Sequence, residues 1–258
     1  MEITVHLQGG LGNQLFQYAA GLAVKKCMGP EAKLWFVMPD KNPHNHLGHD
    51  YVSDLFTKGQ MTMGNLPVSA YNQWYAFEPW WPHLIAKRGL TMYMFGYFQY
   101  LPALVDILPE LRIDFIKALC IKTGLLYKPQ FDTGFVHVRR GDYLKLPNYH
   151  WVQEASYYKK GMELIGLKRW LVFSDDLDWC REQPCFQGAI FADEKDELRA
   201  LLVMISCCGG AVISNSSFSW WAAMFGANEF SGRVVYPELW LEREKPVLFP
   251  ESWLSSSS

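Results

Sequence analysis

The stretch Gly134-Phe135-Val136-His137-Val138-Arg139-Arg140-Gly141-Asp142-Tyr143 joins a short apolar run to a charged turn. The apolar run predicts the end of a buried β-strand, and the turn carries two adjacent arginines and an aspartate. Open α/β sheets bind their ligands at the carboxyl ends of their strands, where this turn lies. Arginine binds phosphate through a planar, permanently charged fork of N–H donors. The stretch therefore predicts either a phosphate-binding site or a structural salt bridge between the arginines and Asp142.

Length and charge limit the classes of protein to which this chain can belong. Its 258 residues, half of them hydrophobic, allow one large domain or two small ones. The formal net charge of −2 gives no electrostatic case for a nucleic-acid partner. No apolar run is long enough to span a bilayer, and Met1–Leu7 alternates like a strand instead of resembling a signal peptide. Six cysteines without disulfide or metal spacing favour a reducing compartment, so we expect a cytoplasmic protein.

The N-terminal residues predict a β–α–β unit. Residues 2–7 predict a strand, Gln8-Gly9-Gly10-Leu11-Gly12 predicts a turn, and apolar residues at helical spacing predict a helix over Asn13–Met28. A second strand is predicted at Lys33–Val37. A glycine-rich turn before a helix lets backbone N–H groups approach a phosphate or a sugar closely, although many such turns bind nothing.

Residues 40–130 show no clear alternation of helices and strands. The segment contains three closely spaced histidines, His44, His46 and His49. Because they lack a firm carboxylate or cysteine partner, a solvated loop is favoured over a metal site. Its aromatic residues fit either a core, which is favoured, or a sugar-stacking surface. They include the tryptophans Trp74, Trp80 and Trp81.

From residue 131 onward, strands and helices are predicted to alternate. The predicted strands are Phe135–Val138, Trp170–Phe173, Ala189–Phe191, Ala211–Ser214 and Arg233–Tyr236. The predicted helices are Glu154–Ile165, Leu177–Glu182, Glu194–Cys207 and Phe218–Gly226. Such alternation predicts a parallel sheet covered by helices on both faces. We therefore expect an α/β fold with domains at residues 1–130 and 131–240, and a C-terminal segment, 241–258, that ends in a disordered serine run, Ser255–Ser258.

Polar residues also follow the other predicted strands of the second half. Asp175 and Asp176 follow the strand at Trp170–Phe173 and are placed to cap the next helix, and Asp193 follows the strand after that. The loop Ser214-Asn215-Ser216-Ser217-Phe218 then leads into an aromatic–alanine helix. Its hydroxyl groups and the free N–H groups of a helix N-terminus would bind an anion. One serine would suffice for capping, so four consecutive hydroxyl or amide residues suggest a ligand.

The motifs along the chain resemble those of glycosyltransferase family 11, the α-1,2-fucosyltransferases. They occur in the order that the family shows and span most of the chain. The matching stretches are Gly9–Ala19, Gly96–Gln99, His137–Tyr143, Tyr157-Tyr158, Phe173–Asp176 and Ser214–Ala223.

This resemblance implies a GT-B-type architecture, in which two Rossmann-like domains face each other across a cleft. The second half would bind GDP-L-fucose, and the first would shape the site for a glycan acceptor. The implied reaction is inverting and needs neither a metal nor a cofactor. It moves fucose to a sugar hydroxyl, usually the 2-OH of a galactose, in the cytoplasm or at a membrane where glycan acceptors are assembled. A related enzyme with another nucleotide sugar and a non-catalytic carbohydrate-binding protein remain alternatives.

The resemblance also implies roles for single residues. Arg139 would contact the phosphate directly, and Arg140 would either reinforce this contact or hold Asp142. Asp142 is also the candidate general base. Asn13 would approach the fucose or the pyrophosphate. His137 is either a donor contact or a buried, hydrogen-bonded histidine. The implied donor-binding residues are Gly10, Gly12, His137, Arg139, Arg140, Asp175, Asp193, Asn215, Ser216, Ser217 and Phe218. The implied acceptor-binding residues are Tyr97 and Gln99.

One position departs from the pattern that the resemblance implies. The family places an acidic residue before the apolar run that ends in Met-Ser, where it would hold the guanine. Leu201 stands at that position here. The acidic residues Asp193, Asp196 and Glu197 are the candidates to replace it.

Overall fold

A computed structural model of the chain describes residues 2–38, 51–56, 58, 60–63, 92–145, 150–240 and 247–256. The chain divides into two compact units, Met1–Ala118 and Leu119–Ser258. This division falls inside a helix, before the boundary that we predicted at residue 130. Six residues discussed above lie outside the described residues, namely His44, His46, His49, Trp74, Trp80 and Trp81.

The described part of the first unit contains a parallel sheet in the order β3-β2-β1-β4. Its strands are β1 (Glu2–His6), β2 (Lys33–Met38), β3 (Gln60–Met63) and β4 (Met92–Met94). Its helices are α1 (Leu11–Met28), α2 (Tyr51–Asp54) and α3 (Leu108–Thr123), the last of which continues into the second unit.

Helix α1 begins at Leu11, so the glycine-rich turn is shorter than predicted and Gly12 lies in the first helical turn. Leu11 and Leu15 are both buried, and this apolar spacing extends the helix toward its N-terminus. Gly21 lets α1 pack closely on the sheet, because a Cβ there would lie 3.0 Å from side-chain atoms of both Val5 and Leu34. The helix thereby fixes the turn that joins it to β1.

The described part of the second unit contains a parallel sheet in the order β10-β9-β8-β5-β6-β7. Its strands are β5 (Thr133–Val138), β6 (Arg169–Ser174), β7 (Ile190–Phe191), β8 (Gly210–Val212), β9 (Arg233–Tyr236) and β10 (Leu254–Ser255). Its helices after α3 are α4 (Ala155–Ile165), α5 (Leu177–Glu182), α6 (Glu197–Ser206) and α7 (Ser217–Phe225). Each strand and helix predicted in residues 131–240 is present, with ends shifted by a few residues.

Strand β5 is buried along its whole length, as expected for a central strand of a parallel sheet. Val136 and Val138 on one face join a core cluster that includes Tyr158 of α4. Trp220 and Trp221 of α7 are also fully buried. The parallel sheet and its buried helices confirm the predicted α/β class.

The C-terminal segment corrects one prediction. Leu248 and Trp253 are buried, and the Trp253 indole donates a hydrogen bond to Asn228 Oδ1 (2.8 Å). Leu254 and Ser255 form strand β10 beside β9, although we predicted disorder from Ser255 onward. A two-residue strand is too short to show alternation in the sequence, and it is held here by pairing with a neighbouring strand.

Both sheets have the strand order of doubly wound nucleotide-binding folds. In the second unit the chain runs outward from β5 through β6 to β7 and then returns to continue from β8 outward. The topological switch point therefore lies between β5 and β8. In the first unit the corresponding point lies between β1 and β4.

No helix in the described part of the chain is both long and apolar enough to cross a bilayer.

Candidate functional site

The arginine turn and the serine loop leave the two strands that flank the switch point of the second unit. Parallel strands bring their carboxyl ends to one edge, and ligands of such sheets bind in the crevice where the strand order reverses. Two hydrogen bonds connect the loops across this point. His137 Nδ1 lies 3.0 Å from Ser214 Oγ, and the Tyr143 hydroxyl donates to the Asn215 carbonyl (2.9 Å).

Arg139 lies between two carboxylates. Its Nη2 is 2.9 Å from Asp142 Oδ1, and its Nη1 is 3.2 Å from Asp175 Oδ2. Burial lowers the pKa of Arg139, but the carboxylates of Asp175 and Asp142 outweigh it and raise the pKa overall. About a third of the side chain remains exposed, so its charge is fixed and still within reach of an anion.

Asp175 fixes the shape of the arginine turn. Its two oxygens accept the backbone N–H groups of Arg140 (2.9 Å) and Gly141 (3.1 Å). A Cβ at Gly141 would lie 2.8 Å from Asp175 Oδ2, so only glycine allows this close approach. We predicted Asp175 as a donor-binding residue. The structure places it at the site as the carboxylate that orders the turn and pairs with Arg139.

Arg140 has a different partner from the one that we considered. Its Nε donates to Asp176 Oδ2 (3.1 Å), and its guanidinium lies 4.0 Å from the centre of the Trp179 ring. Asp142 pairs with Arg139 instead. Asp176 also caps α5, as predicted, by accepting the Trp179 N–H. Arg140 therefore connects the turn to α5 and is mostly buried.

His137 is a buried, hydrogen-bonded histidine, which was one of the two predicted possibilities. It is 7% exposed, and its ring lies 5.9 Å from the ring of Phe218, another predicted donor-binding residue. Burial, with the positive charge of Arg139, lowers the pKa of His137 to about 3. The imidazole is therefore neutral at physiological pH and connects β5 to the serine loop.

Helix α7 directs its N-terminus toward the same edge of the sheet. Ser216 is its N-cap residue and Ser217 its first residue. The first N–H groups of a helix have no intrahelical acceptor, and the helix dipole favours an anion near them. Asn215 is 4% exposed, and its Nδ2 donates to the Trp240 carbonyl (3.2 Å). The predicted serine loop is thus held rigidly beside the arginine turn.

Three positions considered for base recognition differ in their burial and in their partners. Asp193 follows the edge strand β7, is exposed, and pairs with Lys195 (2.6 Å), which lowers the pKa of Asp193. Leu201 is buried inside α6, in the core. Asp196 caps α6 by accepting the Leu198 N–H (2.8 Å). Among the described residues, no group of three or more histidine, cysteine or acidic side chains is arranged to hold a metal ion.

The glycine-rich turn of the first unit is held by two buried amides that we did not predict. Gln14 Nε2 donates to the Gly9 carbonyl (2.8 Å). Gln17 accepts the Gln8 N–H (2.9 Å) and donates to the carbonyls of Gln8 (3.3 Å) and Gly96 (3.1 Å). These bonds connect the turn after β1, which includes Gly10, to the loop after β4. A glutamine within a helical apolar face is the only sign of this role in the sequence.

The residues predicted for the acceptor side lie at this junction. Gln99 Nε2 donates to Asn13 Oδ1 (3.1 Å) across the loops that follow β1 and β4. Tyr97 lies two residues before Gln99 in the same half-buried loop. Asn13 and Gln99 are therefore joined by a hydrogen bond at the switch point of the first unit.

Replacing Gln17 with leucine is expected to destabilise the first unit by about 3 kcal/mol, because buried backbone groups of Gln8 and Gly96 would lose their partners. Guanidinium denaturation followed by circular dichroism would measure the change. Gln187→Leu, at an exposed position, provides the matched control and should shift stability by less than about 0.5 kcal/mol. Equal stability of the two variants would contradict this role for Gln17.

A fixed positive charge at the switch point of a doubly wound sheet is placed to bind a nucleotide or another phosphate-bearing ligand. Comparison with known sequences gives the particular family. The profile of Glycosyl transferase family 11 matches residues 1–236, and the chain belongs to this family.

Several characterised proteins are similar to this chain. The O-antigen biosynthesis glycosyltransferase WbnK of Escherichia coli is 26% identical over 306 residues, which cover 96% of this chain and 98% of that protein. An α-1,2-colitosyltransferase of Escherichia coli is 26% identical, with 98% of each chain covered. Human galactoside α-(1,2)-fucosyltransferase 1 is 23% identical, with 88% of this chain and 66% of that protein covered. The solved structure of Escherichia coli ADP-heptose lps heptosyltransferase II is 12% identical with a TM-score of 0.49, covering 99% of this chain and 90% of that one.

Proposed function

We propose that this glycosyltransferase moves L-fucose from GDP-β-L-fucose to the 2-OH of a galactose in a glycan, with inversion to an α-1,2 linkage. The observation that carries the proposal is the position of Arg139, at the switch point and on the same edge as the N-terminus of α7. The α-1,2-fucosyltransferases and the α-1,2-colitosyltransferase among the relatives support the sugar class and the linkage.

In this reaction the acceptor oxygen forms a bond to C1 of fucose while the C1–O bond to GDP breaks. The electron pair of that bond moves to the β-phosphate, where negative charge collects. Arg139 and the N–H groups of α7 would stabilise this charge without a metal ion. Each charge-assisted hydrogen bond contributes about 1.5–3 kcal/mol, and it accelerates the reaction as far as it tightens in the transition state.

The proton of the acceptor hydroxyl needs a base within hydrogen-bond reach. Asp142 is the candidate, and it must leave Arg139 before it can accept that proton. The proposal assigns Asn13, Tyr97 and Gln99 of the first unit to the fucose and the acceptor.

A second candidate is transfer of another nucleotide-bound sugar. The buried Leu201 favours it, because a core leucine offers no polar group to a guanine base. Leu201 cannot hold the nucleotide base, so we propose that Asp193, which is exposed at the end of β7, binds the base instead.

A donor screen separates the two candidates. Purified protein is incubated with GDP-fucose, GDP-mannose or UDP-galactose and a galactose-terminated acceptor, and nucleotide release is measured. We expect release from GDP-fucose and an α-1,2 linkage in the product by NMR. Faster turnover with either of the other donors would overturn the assignment of GDP-fucose.

A further inference from the structure

His150 lies against the arginine turn in a fixed orientation. Its ring stacks on that of Tyr143, with centroids 4.0 Å apart and planes inclined by 7°. Tyr143 is itself buried and anchored through its hydroxyl to the Asn215 carbonyl. The guanidinium carbon of Arg139 lies 5.6 Å from the centre of the same tyrosine ring. The Tyr143 ring thus contacts both the His150 ring and the Arg139 guanidinium.

Two charges of opposite sign act on His150 from the described residues. Burial lowers its pKa from the ordinary value of 6.5, Asp142 raises it, and Arg139 lowers it further. The imidazole is therefore neutral near pH 7 in the free protein. Tyr143, on which the His150 ring stacks, has a pKa raised by burial and stays protonated.

Arg139 is already paired before a donor binds, because Asp142 and Asp175 both lie within ion-pair distance. A diphosphate must compete with these carboxylates. Asp175 is held by the N–H groups of Arg140 and Gly141, so it stays in place. Asp142 is half exposed and lies on the turn itself, three residues from Arg139. Asp142 is therefore the carboxylate that an incoming phosphate displaces.

We infer that His150 receives the Asp142 carboxylate when the donor diphosphate replaces it on Arg139, and that the imidazole takes one proton from solvent in the same step. The inference rests on the proposed function. It makes His150 a positioning residue, which acts on the donor through Asp142 and Arg139. No covalent bond changes, and the proton balances the negative charge that the diphosphate brings.

The direction of the pH dependence follows from the charges. A bound diphosphate and a released Asp142 both favour the imidazolium, so the pKa of His150 is higher in the complex than in the free protein. Donor binding then takes up a proton between the two pKa values and is tighter at lower pH. A rise of one pKa unit corresponds to binding about tenfold tighter below both pKa values than above them.

Isothermal titration calorimetry of the full-length protein with GDP-fucose, without acceptor, tests the inference. Titrations near pH 6.5 in buffers of different ionisation enthalpy give the number of protons taken up. Each phosphate of GDP-fucose has one ester bond and shares the anhydride bridge, so the ligand lacks the ionisation near pH 6 of a phosphate monoester. The matched variant is His150→Phe, which keeps an aromatic ring on Tyr143 but cannot be protonated.

We expect proton uptake by the natural protein and none by His150→Phe, with affinities of the two proteins that converge as the pH rises above both pKa values of His150. The variant His150→Asn loses the ring stack as well as the titrating group, so it should bind GDP-fucose more weakly at every pH. It replaces His150→Phe in the experiment if circular dichroism shows that His150→Phe is unfolded. Equal proton uptake by variant and natural protein, or binding without uptake, overturns the inference and leaves the proposed function standing. Failure of the natural protein to bind GDP-fucose overturns the proposed donor and the inference with it.

Discussion

Replacing Arg139 with alanine is expected to lower kcat about 100- to 1000-fold, as the loss of one preorganised donor to a developing anion does in other enzymes. The Arg139 guanidinium lies at the switch point and has an exposed surface, whereas Arg140 is bound to Asp176 and covers Trp179. The stabilisation that Arg139 gives the β-phosphate grows as negative charge moves there in the transition state, so kcat should fall more than KM rises.

The measurement is GDP release at saturating GDP-fucose and acceptor, with circular dichroism to verify the fold. Arg139→Lys should recover only part of the activity, because an ammonium group lacks the bidentate fork of arginine. Arg169→Ala is the matched control. It removes an exposed arginine from the start of β6, at the opposite edge of the same sheet, and should leave turnover unchanged. Full activity of Arg139→Ala would contradict the assigned role.

The architecture of the second unit could be predicted because its signals are local. Apolar strands such as Phe135–Val138 alternate with amphipathic helices, and the polar residues follow at the strand ends. That alternation was sufficient to predict the parallel sheet, and the rule for open sheets then indicated the edge at which the arginine turn and the serine loop meet.

The Arg139–Asp142 ion pair was one of the two alternatives that we predicted, and it is present. The other partners of the two arginines could not be predicted, because they follow the next strand. Arg139 and Arg140 are adjacent, yet they pair with Asp175 and Asp176 respectively, more than thirty residues further along the chain. Sequence indicates that carboxylates and guanidinium groups reach the same edge, but it does not give the direction of each side chain. About a third of the Arg139 side chain remains exposed, against 14% for Arg140, so Arg139 is the more accessible of the two to a ligand.

The buried amide Gln17 and the stacked His150 escaped prediction for a related reason. Gln17 contacts Gly96, which is distant in sequence, and the ring of His150 stacks on Tyr143 in the connection between β5 and α4. A polar residue in an apolar helix or a lone histidine after a turn has no periodic signature. Its role becomes visible only when the fold brings its partner within a few ångströms.

Replacing Asp175 with alanine is expected to weaken donor binding and turnover together, with a loss of roughly 1–3 kcal/mol in stability. Two backbone N–H groups of the arginine turn lose their acceptor, so the turn no longer holds one conformation. Arg139 keeps Asp142 as its partner. Without Asp175, no second carboxylate holds the guanidinium in the orientation that faces the phosphate. Asp175→Asn retains one acceptor oxygen and should lie between the natural protein and the alanine variant.

The two effects can be measured separately, by calorimetric titration with GDP-fucose and by denaturant unfolding. Asp178→Asn is the control: it neutralises a carboxylate on α5 that is almost fully exposed and pairs with Arg181. A surface ion pair of this kind contributes about 0–1 kcal/mol, so stability and donor affinity should change little. If Asp175→Ala binds the donor as tightly as the natural protein, the turn does not need this carboxylate, and the preorganisation of Arg139 must come from β5 and Tyr143 alone.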